Sequence, residues 1–329
     1  MWVTGPRDGF SARGRAASRR RALTDGPPAG AHGARLLRYG VLLAAQAAVG
    51  SAAVLARVGI AAGVEPLPLA AWRMALAWGC VALAVGWRNP GAPVGAARAA
   101  KLCAAGVCLG LHFVTWFASL EHISVARSAL LVSTSPVWVG LGVWLVWRLR
   151  PPARFWWGVA VALCGVWAVA AGGPAGGGAP RPDATKGDAF ALAGAVFIAA
   201  YFLLTQAEQS RMGTWRVVLW TYGSAAISLW VAVAVLGAGA APRGAEAWSS
   251  VIALAAVPQL IGHTALNWSL RHFPAGVVGA STLLEPVVAA GLAWWLLSES
   301  VTGMQAAGAV VLLTGVWAAI RRADWGERR

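Results

Sequence analysis

Ten apolar runs, each close to twenty residues long, leave few folds open to this chain. They lie near 38–60, 67–87, 102–120, 124–147 and 154–172, then near 188–208, 216–238, 249–270, 274–297 and 303–321. A hydrocarbon layer about 30 Å thick takes about 20 helical residues to cross, so every run is long enough to span it. Only 12% of the 329 residues are charged, whereas 58% are hydrophobic; a soluble domain carries about 25% charged residues. The expectation is an all-α polytopic membrane protein with ten transmembrane helices, not a cytosolic enzyme. Cys80, Cys103, Cys108 and Cys164 all fall inside the apolar runs. They read as small core residues, not disulfides or metal ligands, and no cofactor or metal is expected.

The basic residues set an orientation. With ten spans and a cytoplasmic N-terminus, 21 of the 27 lysines and arginines fall in cytoplasmic segments. Only Arg181, Lys186 and Arg243 fall opposite; Arg57, Arg73 and Arg127 lie in or beside spans. Such a bias follows the positive-inside rule. It places both termini in the cytoplasm of a cell with the chain in its cytoplasmic (inner) membrane. An odd number of spans would put the basic C-terminal tail, 322–329, on the wrong side. The net charge of +15 is thereby explained as topology, and no nucleic-acid partner is expected. Residues 1–36 carry seven arginines among Gly, Ala and Pro, read as a disordered basic tail. The tail is a poor signal peptide, because no apolar core directly follows its arginines. Contact with anionic membrane lipid is open to it; solvation with a role in orientation is the simpler reading.

The two halves match at an offset of 150 residues without a gap from 119 to 168. Ser119-Leu120 matches Ser269-Leu270, and His122 matches His272. Pro136-Val137 matches Pro286-Val287, Gly158 matches Gly308, and Gly165 to Ala168 matches Gly315 to Ala318. A shared proline, two glycines and a tryptophan read as a duplicated unit of five spans. The first unit covers 37–172 and the second 188–321, joined by a Gly/Pro-rich linker over 173–187. An odd number of spans per unit makes the copies inverted, a plan on which many secondary transporters build alternating access.

Several runs carry a family resemblance. They are Ala118 to Val137, Gly262 to Leu270, Ser281-Thr-Leu-Leu-Glu285-Pro286-Val-Val, and Gln305-Ala-Ala-Gly308 to Gly315-Val316. The chain resembles the EamA-type domains of the drug/metabolite transporter superfamily over residues 38–320. The resemblance implies a ten-helix inner-membrane carrier, commonly an exporter of amino acids, metabolites or toxic compounds. It fixes no single substrate. The sequence departs from the family pattern at the end of the fourth span, Trp147-Arg-Leu-Arg-Pro-Pro152, and at Ser298-Glu299-Ser300 after the ninth.

Glu285 lies 11 residues after Pro274, about 16 Å along a helix and close to mid-membrane. An unpaired charge at that depth costs about 2.5–3.5 kcal/mol. It is read either as a proton-linked or substrate-facing carboxyl, or as a structural group joining two helices. Pro136 and Pro286 each free a carbonyl four residues earlier, at Val132 and Thr282, and are read as hinges or static kinks. Gln259, His263 and Asn267 recur every four residues on the eighth span, a polar stripe expected to face the interior. It lines a substrate path or bonds neighbouring helices. His112 and Trp116 form the corresponding pair on the third span. Gln46, Gly50 and Arg57 share a face of the first span, while Tyr201 and Tyr222 are lining candidates on the sixth and seventh. Arg73 either snorkels, forms an ion pair or binds an anionic substrate group. Leu312 is expected to face lipid, and Trp87, Trp147, Trp215 and Trp248 to form interfacial belts.

The function expected is a secondary exporter of a small metabolite, amino acid or drug-like compound, with a proton as candidate coupling ion. A second copy of the chain is a candidate partner. No nucleotide-binding loop of the Gly-x-x-x-x-Gly-Lys type is present. An intramembrane enzyme would need a nucleophile with its base or a metal set, and the five histidines form no His-Glu-x-x-His. A non-transporting partner or sensor on the same fold is the other alternative.

Overall fold

A computed structural model describes residues 29–87, 93–123, 125–171, 183–239, 241–297 and 301–321. The chain packs as two units, Met1–Gly40 and Val41–Arg329, and the architecture that follows is that of the second. Among the described residues ten helical segments are long and apolar enough to cross a membrane. The chain is an all-helical multi-pass membrane protein. The spans run Gly33–Ala61, Pro66–Val85, Ala96–Ser119, Arg127–Trp147 and Ala153–Ala171 in the first half. Ala184–Met212, Thr214–Leu236, Ala245–Ser269, Ala275–Leu296 and Gly303–Ile320 follow in the second.

Two helices start earlier than the sequence predicts. The helix Ala29–Gly50 covers part of the stretch expected as a disordered tail. The sixth begins at Ala184 after Asp183, inside the expected linker; the Asp183 carbonyl accepts from the amides of Lys186 and Gly187. The 322–329 tail and residues 1–28, 172–182 lie outside the described residues.

Four spans are interrupted, and the interruptions bear on the site. The first breaks at Ser51, whose hydroxyl donates to the Ala48 carbonyl at 2.7 Å. The fourth is two helices, Val125–Val132 and Ser135–Trp147. The ninth is Ala275–Ser281 and Glu285–Leu297 around a 3-10 turn at Thr282–Leu284. Pro136 and Pro286 are therefore the second residues of new helices, not kinks within continuous ones. A proline fits there because the first amides of a helix have no intrahelical acceptor. The eighth span contains a π-helical segment, Ala255–His263, with Pro258 inside it. Its wider winding opens a place in the hydrogen-bond ladder for a residue that lacks an amide hydrogen.

The duplication is visible in the packing of the fifth and tenth spans. Gly158 lies against Ala319, Ala162 against Gly315, Gly165 against Leu312, and Val169 against Gly308. Progress along one helix is retreat along the other, so the two are antiparallel. Exchanging each residue for its counterpart 150 positions away turns the Gly158–Ala319 contact into Gly308–Val169, and Gly165–Leu312 into Gly315–Ala162. Only a two-fold axis across antiparallel helices has this reciprocity, so the repeats are inverted. Small residues let the backbones approach, the usual means of helix association in lipid. The same face buries Leu312, which corrects its expected lipid exposure; Val310 and Leu313 point outward instead.

Candidate functional site

The first, second, third, fourth, sixth, eighth and ninth spans enclose a cavity. It holds about 850 Å³ of space unoccupied by protein atoms, counting the part open to the surroundings. Most of the wall is apolar, with Phe113, Trp116, Ile198, Phe202 and Leu266. Its polar groups are Arg73, Glu285, His112, His263, Ser133, Ser135 and Thr282. A mostly apolar concavity with a few convergent polar groups is the usual form of a small-molecule site.

The breaks in the fourth and ninth spans place most of these polar groups. Ser133 and Ser135 flank one break, while Thr282 and Glu285 bracket the other. At the offset of 150, Ser135 is the counterpart of Glu285, so only one repeat supplies a carboxyl. Ser135 Oγ and Thr282 Oγ1 meet at 3.5 Å across the two breaks. Thr134 and Thr282 donate to the carbonyls of Leu131 and Gly279, which satisfies backbone acceptors where the helices end. Gly50 on the first span admits Val288 and the Glu285 carbonyl; a Cβ there would lie 2.7 Å from Val288 Cβ. Among the described residues no hydrogen bond or ion pair joins the Glu285 side chain to another helix, and Arg73 on the second span acts on it only at longer range.

Arg73 turns inward. It is 2% exposed and does not snorkel. Its Nε and Nη2 donate to Gln259 Oε1 at 3.2 and 2.8 Å, and its guanidinium lies 4.3 Å from the centre of the Phe113 ring. Among the described residues no carboxylate lies within ion-pair distance of it. On the third span His112 Nδ1 donates to the Gly194 carbonyl at 2.9 Å, and its ring stacks on Trp116. A Cβ at Gly194 would crowd Thr115 Oγ1, at 3.2 Å, more than it would His112. His263 is 6% exposed, and its Nδ1 has no hydrogen-bond partner among the described residues.

Of the candidate site residues singled out from sequence, Arg73, His112, Trp116, His263, Glu285 and Pro286 reach the cavity wall, as does Gly50. Gln46, Tyr201, Tyr222, Gln259 and Asn267 are fully buried beside it and bonded across helices. Gln46 Nε2 donates to Ser281 Oγ at 2.7 Å, joining the first span to the ninth. Asn267 Nδ2 donates to Tyr201 OH at 2.5 Å and its Oδ1 accepts from Gln209 Nε2 at 2.8 Å. Tyr222 OH donates to the Gln259 carbonyl at 3.3 Å and meets Thr264 Oγ1 at 3.2 Å. Arg57, expected on the face of Gln46 and Gly50, lies beyond the break at Ser51 and is exposed.

The sequence profile of the EamA-like transporter family matches residues 38–171 and 185–321. The chain belongs to that family. As an EamA-type protein it falls in the drug/metabolite transporter superfamily, and each profile match covers one five-span repeat. Two curated relatives are similar over a shorter stretch. Both are named probable 4-amino-4-deoxy-L-arabinose-phosphoundecaprenol flippase subunit ArnE, from Salmonella enteritidis PT4 and Salmonella gallinarum. Each is 33% identical over 60 residues, which are 18% of this chain and 54% of the relative. The chain thus spans about half the length of the curated relatives it matches. One solved crystal structure superposes with TM-score 0.71 at 20% identity, over 86% of this chain and 96% of that one; this likeness concerns the fold alone.

Some elements of the cavity gave little signal in the sequence. Phe113, Ser133 and Ser135 lie on the wall but look ordinary in apolar helices. Pro258 could have been found, because a proline inside a span beside a polar stripe points to a local change of winding. Glu208 is 3% exposed near the end of the sixth span, with Arg98 at 3.0 Å and Lys101 at 3.1 Å. Its place near a helix end hid it among residues expected in solvent. Toward the other end of that span, Asp188 receives Arg127 Nε and Nη2 at 2.7 and 2.6 Å.

Proposed function

We propose that this EamA-type protein is a secondary transporter that exports a small amphipathic metabolite by alternating access through the cavity. The observation that carries the reading is the wall itself. A cationic group, Arg73, and a carboxyl, Glu285, face one space lined by aromatic and aliphatic side chains. Charge on a cargo molecule needs such groups at mid-membrane, and its carbon skeleton needs the apolar wall. Inverted repeats supply two equivalent ways to close the bundle, one for each side of the membrane. Breaks in the fourth and ninth spans lie at the cavity, where non-helical backbone is tolerated in a membrane.

Glu285 is the candidate proton carrier: it faces the cavity, and no hydrogen bond or ion pair to the described residues holds it in one state. The distribution of basic residues supports placing both termini on the cytoplasmic side of the cell membrane. The flippase subunits extend the range of cargo to be tested to lipid-linked sugars.

The test is untargeted mass spectrometry of culture medium from the native producer, a deletion strain, and the deletion carrying wild type or Glu285→Gln. An exported compound should leave the medium on deletion and return with wild type only. Media identical across all four strains would contradict export. Radiotracer flux of the compound in proteoliposomes then separates a carrier from a non-transporting partner.

A further inference from the structure

Arg73 is a buried cation held by a neutral group. Three features of its surroundings are independent of one another. The first is the tether: two guanidinium nitrogens, Nε and Nη2, donate to the single Oε1 of Gln259. The second is the free edge. Among the described residues Nη1 has no hydrogen-bond partner, and the side chain is part of the cavity wall. The third is the state of the tether itself. Gln259 is 0% exposed, and its amide Nε2 has no acceptor among the described residues.

A buried arginine normally meets a carboxylate, because an uncompensated charge in a low-dielectric site is costly. Here the residue in contact is an amide. An amide oxygen can orient a guanidinium but cannot neutralise it. Glutamine also fixes which atom points at Arg73, since only its oxygen accepts. Phe113 lies against the face of the guanidinium, which holds the plane in register and adds a favourable cation–π contact. Held at one edge by Gln259 and against Phe113, the guanidinium of this cavity-lining residue leaves Nη1 without a hydrogen-bond partner among the described residues. That is the geometry of a receptor for an oxyanion, which binds an arginine edge through charge-assisted hydrogen bonds.

We propose that Arg73 is the subsite for an anionic oxygen group of the cargo, a carboxylate or a phosphate, and that Gln259 is its positioning residue. Gln259 orients the cation without neutralising it; the one carboxyl on the same wall, Glu285, acts on it from beyond ion-pair distance. The π-helical winding at Pro258 is what delivers Gln259 to Arg73, since Gln259 follows the proline directly within Ala255–His263. A glutamate at 259 would complete an internal ion pair and take the site away from the cargo. The inference rests on reading the cavity as the cargo site.

The experiment uses the purified full-length protein and three probes that share an aromatic body: phenylacetate, phenyl phosphate and the neutral phenylacetamide. Binding is read by titration calorimetry. Wild type should bind at least one anion about tenfold or more tightly than the amide, the size expected of a hydrogen bond to a charged group. The stronger of the two anions tells carboxylate from phosphate. In Gln259→Glu the preference should fall to about one while the amide still binds. Arg73→Gln should do the same. If Gln259→Glu does not fold, Gln259→Ala serves, with a reduced anion preference and unchanged amide affinity expected. Absence of anion preference in wild type, or an undiminished preference in folded Gln259→Glu, overturns the proposal. The same probes loaded into proteoliposomes separate the two claims. Anion preference without flux of any probe or exported compound counts against the transporter reading and leaves Arg73 assigned; flux without anion preference does the reverse.

Discussion

Gly158 and Gly315 lie back to back where the fifth and tenth spans cross. A Cβ on either would come within 2.7 Å of the other's carbonyl oxygen. Neither obstacle is the end of a flexible side chain, so the backbones themselves must part. The contact joins the two inverted repeats, and its closeness depends on residues with no side chain.

Gly158→Ala or Gly315→Ala should therefore destabilise the protein by about 1–3 kcal/mol, as overpacking does, and Gly158→Leu should abolish folding. Gly79→Ala is the control. Its Cβ would meet nothing within 4 Å, and alanine favours a helix by roughly 0.5–1 kcal/mol over glycine. Melting temperatures in detergent distinguish the two classes; equal effects at positions 79 and 158 would contradict the packing described.

Two ion-pair sites near opposite ends of the sixth span should behave differently in salt. Glu208 is buried, with Arg98 and Lys101 against it. Glu208→Gln should cost about 1–3 kcal/mol, with little change between low and high salt. The Arg127–Asp188 pair is more exposed, at 53% and 25%. Asp188→Ala should cost less than about 1 kcal/mol, and the loss should shrink as salt is raised. Thermal melts of both variants at two ionic strengths check this.

Pro258→Ala restores an amide hydrogen to the π-helical turn. The segment should then relax toward regular α-helix and rotate Gln259 away from Arg73. Transport should fall by about tenfold or more, since small displacements of positioning groups have effects of that order, while the melting temperature holds or rises. Wild-type flux in a variant with unchanged stability would remove the role given to the π turn.

Glu285→Gln should fold, because no hydrogen bond or ion pair of Glu285 to the described residues is lost. In proteoliposomes an imposed proton gradient should accelerate flux through wild type and leave the variant unaffected. An equal response in both would show that coupling does not pass through Glu285.

Much of this architecture is legible in the residues. The ten spans follow from apolar length, and their inversion follows from the offset of 150 that relates Pro136 to Pro286 and Gly158 to Gly308. His112, Trp116, His263 and Glu285 stand out because polar and aromatic side chains at helical spacing are rare in such runs, and the structure brings them to one wall. Arg73 was less legible. Its distance from the span end fits snorkelling as well as burial, and only the partner on the eighth span decides between them. That partner, Gln259, is placed by a π turn, which the regular spacing of four residues to His263 and Asn267 conceals. Leu312 shows the same limit from the other side: a leucine in an apolar helix carries no mark of whether it meets lipid or Gly165. Helix breaks at Ser51, Ser133 and Thr282 are set by tertiary packing, since Ser and Thr continue a membrane helix as readily as they end one.

The most direct measurement of the central claim is thiol accessibility within the cavity from each side of the membrane. Cys80, Cys103, Cys108 and Cys164 would be replaced by Ala or Ser, and Ser133→Cys or Ser135→Cys introduced singly at the break of the fourth span. A membrane-impermeant maleimide would then be applied to right-side-out and inside-out vesicles. The account predicts that the same introduced thiol reacts from both sides, and that cargo bound in the cavity slows both reactions. Reaction from one side only, at every introduced position and with or without cargo, would contradict alternating access through this cavity.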